Sequence, residues 1–300
     1  MNRMLGLVLL SLSVACSAHA GSKDARAAAA PQAEPAPLAP AVGPVSKEEL
    51  ARVRKRAEYI YNSERASIRA SDLLVERKDL DTSKLQRFLT VPREGFWYAM
   101  FGRFTEDGKF VPAYAYRAPL LEPDHMEAFS VESLPGDFSP AARAAKMACE
   151  AAAKVHQRGQ VNPIVLEEEK QLTVYVMQGS HVAGVTVLGG DFRFHFSKDG
   201  RQILEQTPLH QGLIGVDVRV RHDEFAGAFH THVLFPGPLE TELAMLMLFP
   251  EMRVLFVGDP RTGFVYKLLP DGSIETLSLE ELKKRQAMPD PLKSPGDIQL

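Results

Sequence analysis

The chain has 300 residues, enough for one large or two small domains. A hydrophobic fraction of 45% and a charged fraction of 24% are ordinary globular values. The net charge of −3 provides no general basic surface, which argues against a nucleic-acid partner.

Residues 1–20 read as an export signal. Arg3 supplies the positive start, and residues 4–14 are an apolar run too short to span a bilayer as a mature helix. Two processing patterns overlap. Ala18-His19-Ala20 fits ordinary signal peptidase, whereas Leu12-Ser13-Val14-Ala15-Cys16 resembles a bacterial lipobox, in which Cys16 would carry lipid. The expected destinations are the periplasm or the outer membrane, the latter through a lipidated Cys16, or otherwise secretion. With Cys16 cut away or lipidated, no internal disulfide is expected at Cys149, and a chain of this size builds a core without one.

Residues 21–45 are Ala- and Pro-rich and read as a tether. Ser46-Lys47-Glu48-Glu49 forms a capping box and opens an amphipathic helix over residues 47–70, with Leu50, Val53, Ala57, Ile60, Tyr61 and Ile68 at helical spacing. Residues 96–104 and 109–117 pair as a hairpin around Glu106-Asp107-Gly108, and their aromatics read as sheet packing. Four prolines across 119–140 mark a connection and the best domain boundary. Ser139, as N-cap, and Pro140 open a second helix with an alanine stripe, ended by Gly159. Cys149 lies mid-helix, away from the N-terminal dipole that activates thiols, and reads as a small core residue. Strands follow at 172–177, 183–188, 191–196, 202–206, 213–220 and 225–232. Pro238 starts a short helix, and residues 253–257 and 263–269 are strands. The expected architecture is α+β, a mixed and mostly antiparallel sheet with flanking helices. A helix-plus-hairpin region covers 46–135, a second domain covers 136–280, and a flexible tail covers 281–300.

The chemistry concentrates in residues 227–242. Alternate strand residues face one side, so His230 and His232 project together with Cα atoms about 6–7 Å apart. That spacing suits two imidazole ligands on one transition metal, zinc above all, with Glu242 as third ligand and Glu240 as the alternative. Such histidines also occur as hydrogen-bonded polar residues on a sheet face with no metal, and both readings stand. His195 alternates with Phe194 and Phe196 and reads as a polar-face residue. His210 and His222 lie in loops or at strand ends, so either could complete a site, and nothing in the sequence places them there.

A strand-borne Gly227-Ala228-Phe229-His230-Thr231-His232, a proline-containing loop and Leu239-Glu240-Thr241-Glu242-Leu243 resemble the zinc site of JAB/MPN (JAMM) metalloproteases. The resemblance extends over roughly residues 139–275. It implies a JAMM-like fold for the second domain, zinc on His230, His232 and Glu242, and a glutamate base from an earlier strand. Three departures accompany it. Val233 stands where the family has proline, Thr241-Glu242 replaces Ser-x-x-Asp, and no Glu-x-x-Gly strand follows the second helix. Glu167, Glu168 and Glu169 fall nearest the base position, but as a run of three they read as a solvated turn. The chain is also similar to uncharacterised exported bacterial proteins carrying a His-[ST]-His-Val-Leu segment. The functional expectation is an envelope protein with a degenerate JAMM-like scaffold in a non-catalytic binding or structural role, with a peptide or envelope-protein partner. The alternative is a zinc-dependent peptide or isopeptide hydrolase.

Overall fold

The computed structural model describes residues 43–155, 161–180, 182, 184–217 and 227–282. The export signal with Cys16, the tether up to residue 42, Gly159, His222 and the tail from 283 lie outside the described residues. The architecture is α+β, with largely antiparallel sheets and few helices.

Helix α1 (Lys47–Val75) starts where the Ser46 hydroxyl accepts from the Glu49 amide at 3.1 Å. The other half of the expected box is not made, because the Glu49 carboxylate turns to Arg52 instead. Val53, Ala57, Ile60, Ser63, Ala66, Ala70 and Leu74 form its buried face. Ile68 falls off that face and is exposed, and small residues take over the stripe so that the helix lies close against its neighbours.

Strands β1 (Arg87–Arg93), β2 (Phe96–Phe104), β3 (Phe110–Pro119) and β4 (Glu127–Phe129) form an antiparallel sheet in that order. Pro92 is tolerated because β1 is an edge strand. A bulge between Phe101 and Gly102 needs glycine, since a Cβ at Gly102 would lie 2.2 Å from the Val111 carbonyl oxygen. Alternation splits the sheet's side chains into two sets. Trp97, Ala99, Phe101 and Tyr116 pack on the C-terminal half of α1. Leu89, Val91, Tyr98, Met100 and Phe110 face the other way, towards helix α2 (Ser139–Val155). The start of α2 departs from expectation. Asp137 accepts from the Ser139 amide at 2.9 Å, while the Ser139 hydroxyl accepts from the Phe110 amide at 3.0 Å and ties helix to sheet. Cys149 is half-buried in the middle of α2.

Behind α2 stand β5 (Val161–Glu167), β6 (Gln171–Gln178), β8 (Phe192–Ser197) and β9 (Ile203–Pro208), antiparallel in that order. Val165, Leu172, Val174, Phe192, Phe194 and Phe196 join the alanines of α2 and the first sheet in one core, to which both sides of the 119–140 connection contribute. Strand β7 (Val185–Gly189) leaves this sheet and pairs with β10 (Leu213–Asp217) as a two-stranded ribbon.

The last sheet runs β11 (Ala228–Thr231), β12 (Leu255–Asp259), β13 (Phe264–Leu268), β14 (Ile274–Ser278). Strand β11 is parallel to β12, which demands a crossover, and helix α3 (Glu240–Leu248) provides it. The other pairs are antiparallel. Leu243 and Leu246 of α3 meet Ala57 and Ile60 of α1, Tyr175 of β6 and Val257 of β12 in a second core. The first turn of α3 is thereby held between three elements.

One partly buried carboxylate outside these cores sets a pH dependence. Glu64 of α1 accepts from Asn162 of β5 at 2.5 Å. Burial pushes its pKa up to about 7, with the Asn162 bond opposing. The unfolded chain ionises near the ordinary value of 4.5, so folding loses stability as pH rises from there through about 7. Glu64→Gln is expected to unfold at higher denaturant than the wild type at pH 8 and to match it at pH 4. Equal midpoints at pH 8 would refute the assignment.

Candidate metal centre

His230 and His232 stand where expected, on and just past β11. The His232 amide donates to the Gly258 carbonyl at 2.9 Å, so pairing with β12 continues one residue beyond the strand. Both imidazoles therefore leave on the same side of the backbone, with ring centroids 5.0 Å apart and Nε2 atoms 3.1 Å apart. His232 is oriented from behind, its Nδ1 lying 2.6 Å from the Gly237 carbonyl oxygen. With Nδ1–H donating there, Nε2 is the atom that could ligate a metal. Gly237 has φ +70 and a Cβ on it would strike Val45, so glycine is what lets that carbonyl turn inwards.

Glu242 arrives from the first turn of α3. Its Oε2 accepts from the Leu239 amide at 2.9 Å, a half capping box that fixes the side chain. Its Oε1 is aimed at the imidazoles, lying 2.8 Å from His232 Nε2 and in close contact with His230 Nε2. Burial opposes the charge on Glu242, but the imidazoles around it hold its pKa well below the usual carboxylate range.

The structure adds a residue that the sequence did not place. His210 follows β9, and its Nε2 lies 3.0 Å from the same Glu242 oxygen. Its Nδ1 lies 2.5 Å from Asp191 Oδ1. Burial opposes a charge on His210, yet its bonds to Asp191 and Glu242 raise its pKa to about 10. One ligand atom from each of His210, His230, His232 and Glu242 lies within 4.8 Å of every other. Four ligands on a tetrahedral ion with bonds of 2.0–2.1 Å stand about 3.3–3.4 Å apart. Movements well under 2 Å bring the set to that geometry, and the cluster could hold a metal ion. His230 Nδ1 is buried without a hydrogen-bond partner among the described residues.

The other candidates stand apart. Glu240, two residues before Glu242, points away from the imidazoles. Its Oε1 accepts from the Tyr175 hydroxyl at 2.6 Å, with Arg193 at 3.4 Å and Arg56 at 3.8 Å. Glu167 forms a paired contact with Arg93 at 2.8 and 3.0 Å. Glu168 bonds Arg56 at 3.0 Å and accepts from Gln171 and Thr173. Glu169 does not belong to the cluster. His195 Nδ1 sits beside Gln171 and Thr173, a polar-face residue. Among the described residues, the carboxylate nearest in role to a second acid is Asp191. Both its oxygens are engaged, Oδ1 by His210 and Oδ2 by the Thr241 hydroxyl.

In the metal-free protein, Glu242 is the anion that the buried imidazoles surround. Glu242→Gln is expected to destabilise metal-free protein by about 3–5 kcal/mol, read by chemical denaturation. A change below about 1 kcal/mol would mean that the imidazoles do not depend on its charge. Comparison with protein-family models, with curated proteins and with solved structures returns no match.

Proposed function

We propose that the chain is an exported cell-envelope protein in which His210, His230, His232 and Glu242 hold one zinc ion within a non-catalytic binding or structural module. One observation carries this reading. Four protein side chains bring one ligand atom each to within 4.8 Å of one another. A structural zinc site takes all four positions from protein, whereas a catalytic one keeps a position for water. Imidazole donors suit zinc as they suit copper, iron and nickel, and zinc also accepts a carboxylate oxygen.

The fate of the nearby acids points the same way. Water attack at a zinc site needs a general base within reach. Asp191 has both oxygens engaged by His210 and Thr241, Glu240 is turned to Tyr175, Arg193 and Arg56, and Glu167 and Glu168 are tied to arginines. The JAMM-like reading draws support from the parallel β11–α3–β12 unit, with His-x-His on the strand and the carboxylate on the first turn of the helix. On that reading the scaffold is retained while a fourth ligand occupies the working position. Residues 1–20 support export, either with attachment to the membrane through a lipidated Cys16 or with ordinary cleavage after Ala20, and with a peptide or envelope protein as partner.

The hydrolase reading keeps one favourable observation. A cavity of about 10 Å³, close to the room one water needs, is lined by Gln178, Asp191, His210, Thr241 and Glu242 among others. Metal analysis and turnover separate the two readings. Protein purified without its signal should carry about one zinc per chain, lose it on His230→Ala, and leave peptide and isopeptide substrates uncut when fully loaded. Absence of zinc after loading would end the metal reading. Cleavage that disappears with Glu242→Ala would make the chain an enzyme.

A further inference from the structure

The three residues that open α3 each point to a different part of the site. Glu240 is anchored to Tyr175 at 2.6 Å, with Arg193 and Arg56 close by. Glu242 faces the imidazoles. Thr241, buried between them, donates its hydroxyl to Asp191 Oδ2. Asp191 in turn meets His210 Nδ1 through Oδ1 at 2.5 Å, and His210 Nε2 returns to Glu242 at 3.0 Å. The circuit Thr241–Asp191–His210–Glu242 thus begins and ends on one helical turn.

The backbone supports the circuit. Asp191 precedes β8 and His210 follows β9, and the Leu209 amide donates to the Asp191 carbonyl at 2.9 Å. Gly189 and Gly190, at φ +89 and +65, make the turn into Asp191, and a Cβ on Gly189 would fall 2.2 Å from the Gly212 carbonyl oxygen. The loop that carries His210 is therefore strapped to the residue that orients its ring. A carboxylate accepting from Nδ1–H fixes the tautomer and leaves Nε2 for a metal. A second donor on that carboxylate holds it at the required angle.

We infer that Thr241 and Asp191 are positioning residues that present His210 Nε2 to the metal, making His210 the ligand that closes the position a catalytic zinc keeps for water. The inference rests on the metal reading proposed above and adds how the fourth position is filled. Thr241 touches no ligand atom of the metal and acts only through Asp191. A centre that loses this relay keeps His230, His232 and Glu242 and takes water in the fourth position.

Cobalt(II) is the probe, because its visible absorption reports ligand number and type. Wild type, Thr241→Val, Thr241→Ser, Asp191→Asn and His210→Ala are titrated with cobalt and then displaced by zinc. Thr241→Val and Asp191→Asn are expected to bind about 10–100-fold more weakly than wild type. Their spectra are expected to move to that of His210→Ala, while Thr241→Ser restores both affinity and spectrum. A merely structural threonine would lower stability without moving the spectrum. Wild-type affinity and spectrum in Thr241→Val, or an unchanged spectrum in His210→Ala, overturns the inference. In metal-free protein the His210 Nδ1 proton should give a slowly exchanging downfield resonance in wild type and Thr241→Ser that is lost in Thr241→Val. That arm stands even if wild type takes up no cobalt, so failure of the metal reading and failure of the relay give different results. Persistence of the resonance in Thr241→Val overturns the relay by itself.

Discussion

A carboxylate that is 1% exposed governs this region. An isolated buried anion is costly enough that a protein either neutralises it or surrounds it with partners. Glu242 is surrounded. One oxygen takes a backbone amide at its own helix start, and the other is shared by imidazoles from β11, from the residue just past it and from the loop after β9. Those imidazoles are mostly buried themselves, so each side satisfies the other. The crossover of α3 between parallel strands is what brings the carboxylate to His230 and His232.

The helix start must also be held in rotation, and long-range packing does this. Helix α1 supplies Ile60 to the core beneath α3 and Arg56 to the network around Glu240. Tyr175 and Arg193 reach the same carboxylate from β6 and β8. Two acids lie in the first turn of α3, and these partners decide which one faces the imidazoles. Glu240 is drawn to the cationic side, and Glu242, two residues on, is turned to the histidines. The face that could hold a metal is thus selected by charges on distant segments.

This explains what the sequence could and could not disclose. His230 and His232 were legible because strand periodicity is local, and Glu242 because a proline and a helix start stand close to it. The choice between Glu242 and Glu240 depended on Arg56 and Arg193, which no local pattern connects to α3. His210 was legible only as a histidine that could complete a site, and its placement there was not, for the same reason. It belongs to a loop between other strands, and only the strap from Asp191 carries it in. Most long elements were legible from periodicity. Strands β1 and β5 were not, because Pro92 and Pro163 break the strand signal, and both survive only as sheet edges. The stripe of α1 was misjudged at Ile68 because alanine and serine, not larger residues, line the close contact.

The central claim is that four protein ligands complete the coordination of one zinc. X-ray absorption at the zinc edge of loaded protein tests it most directly. The account predicts three imidazoles and one carboxylate oxygen at about 2.0–2.2 Å, with no sulfur, and loss of one imidazole in His210→Ala. A centre with only two imidazoles in the wild type, or one that His210→Ala leaves unchanged, would contradict it.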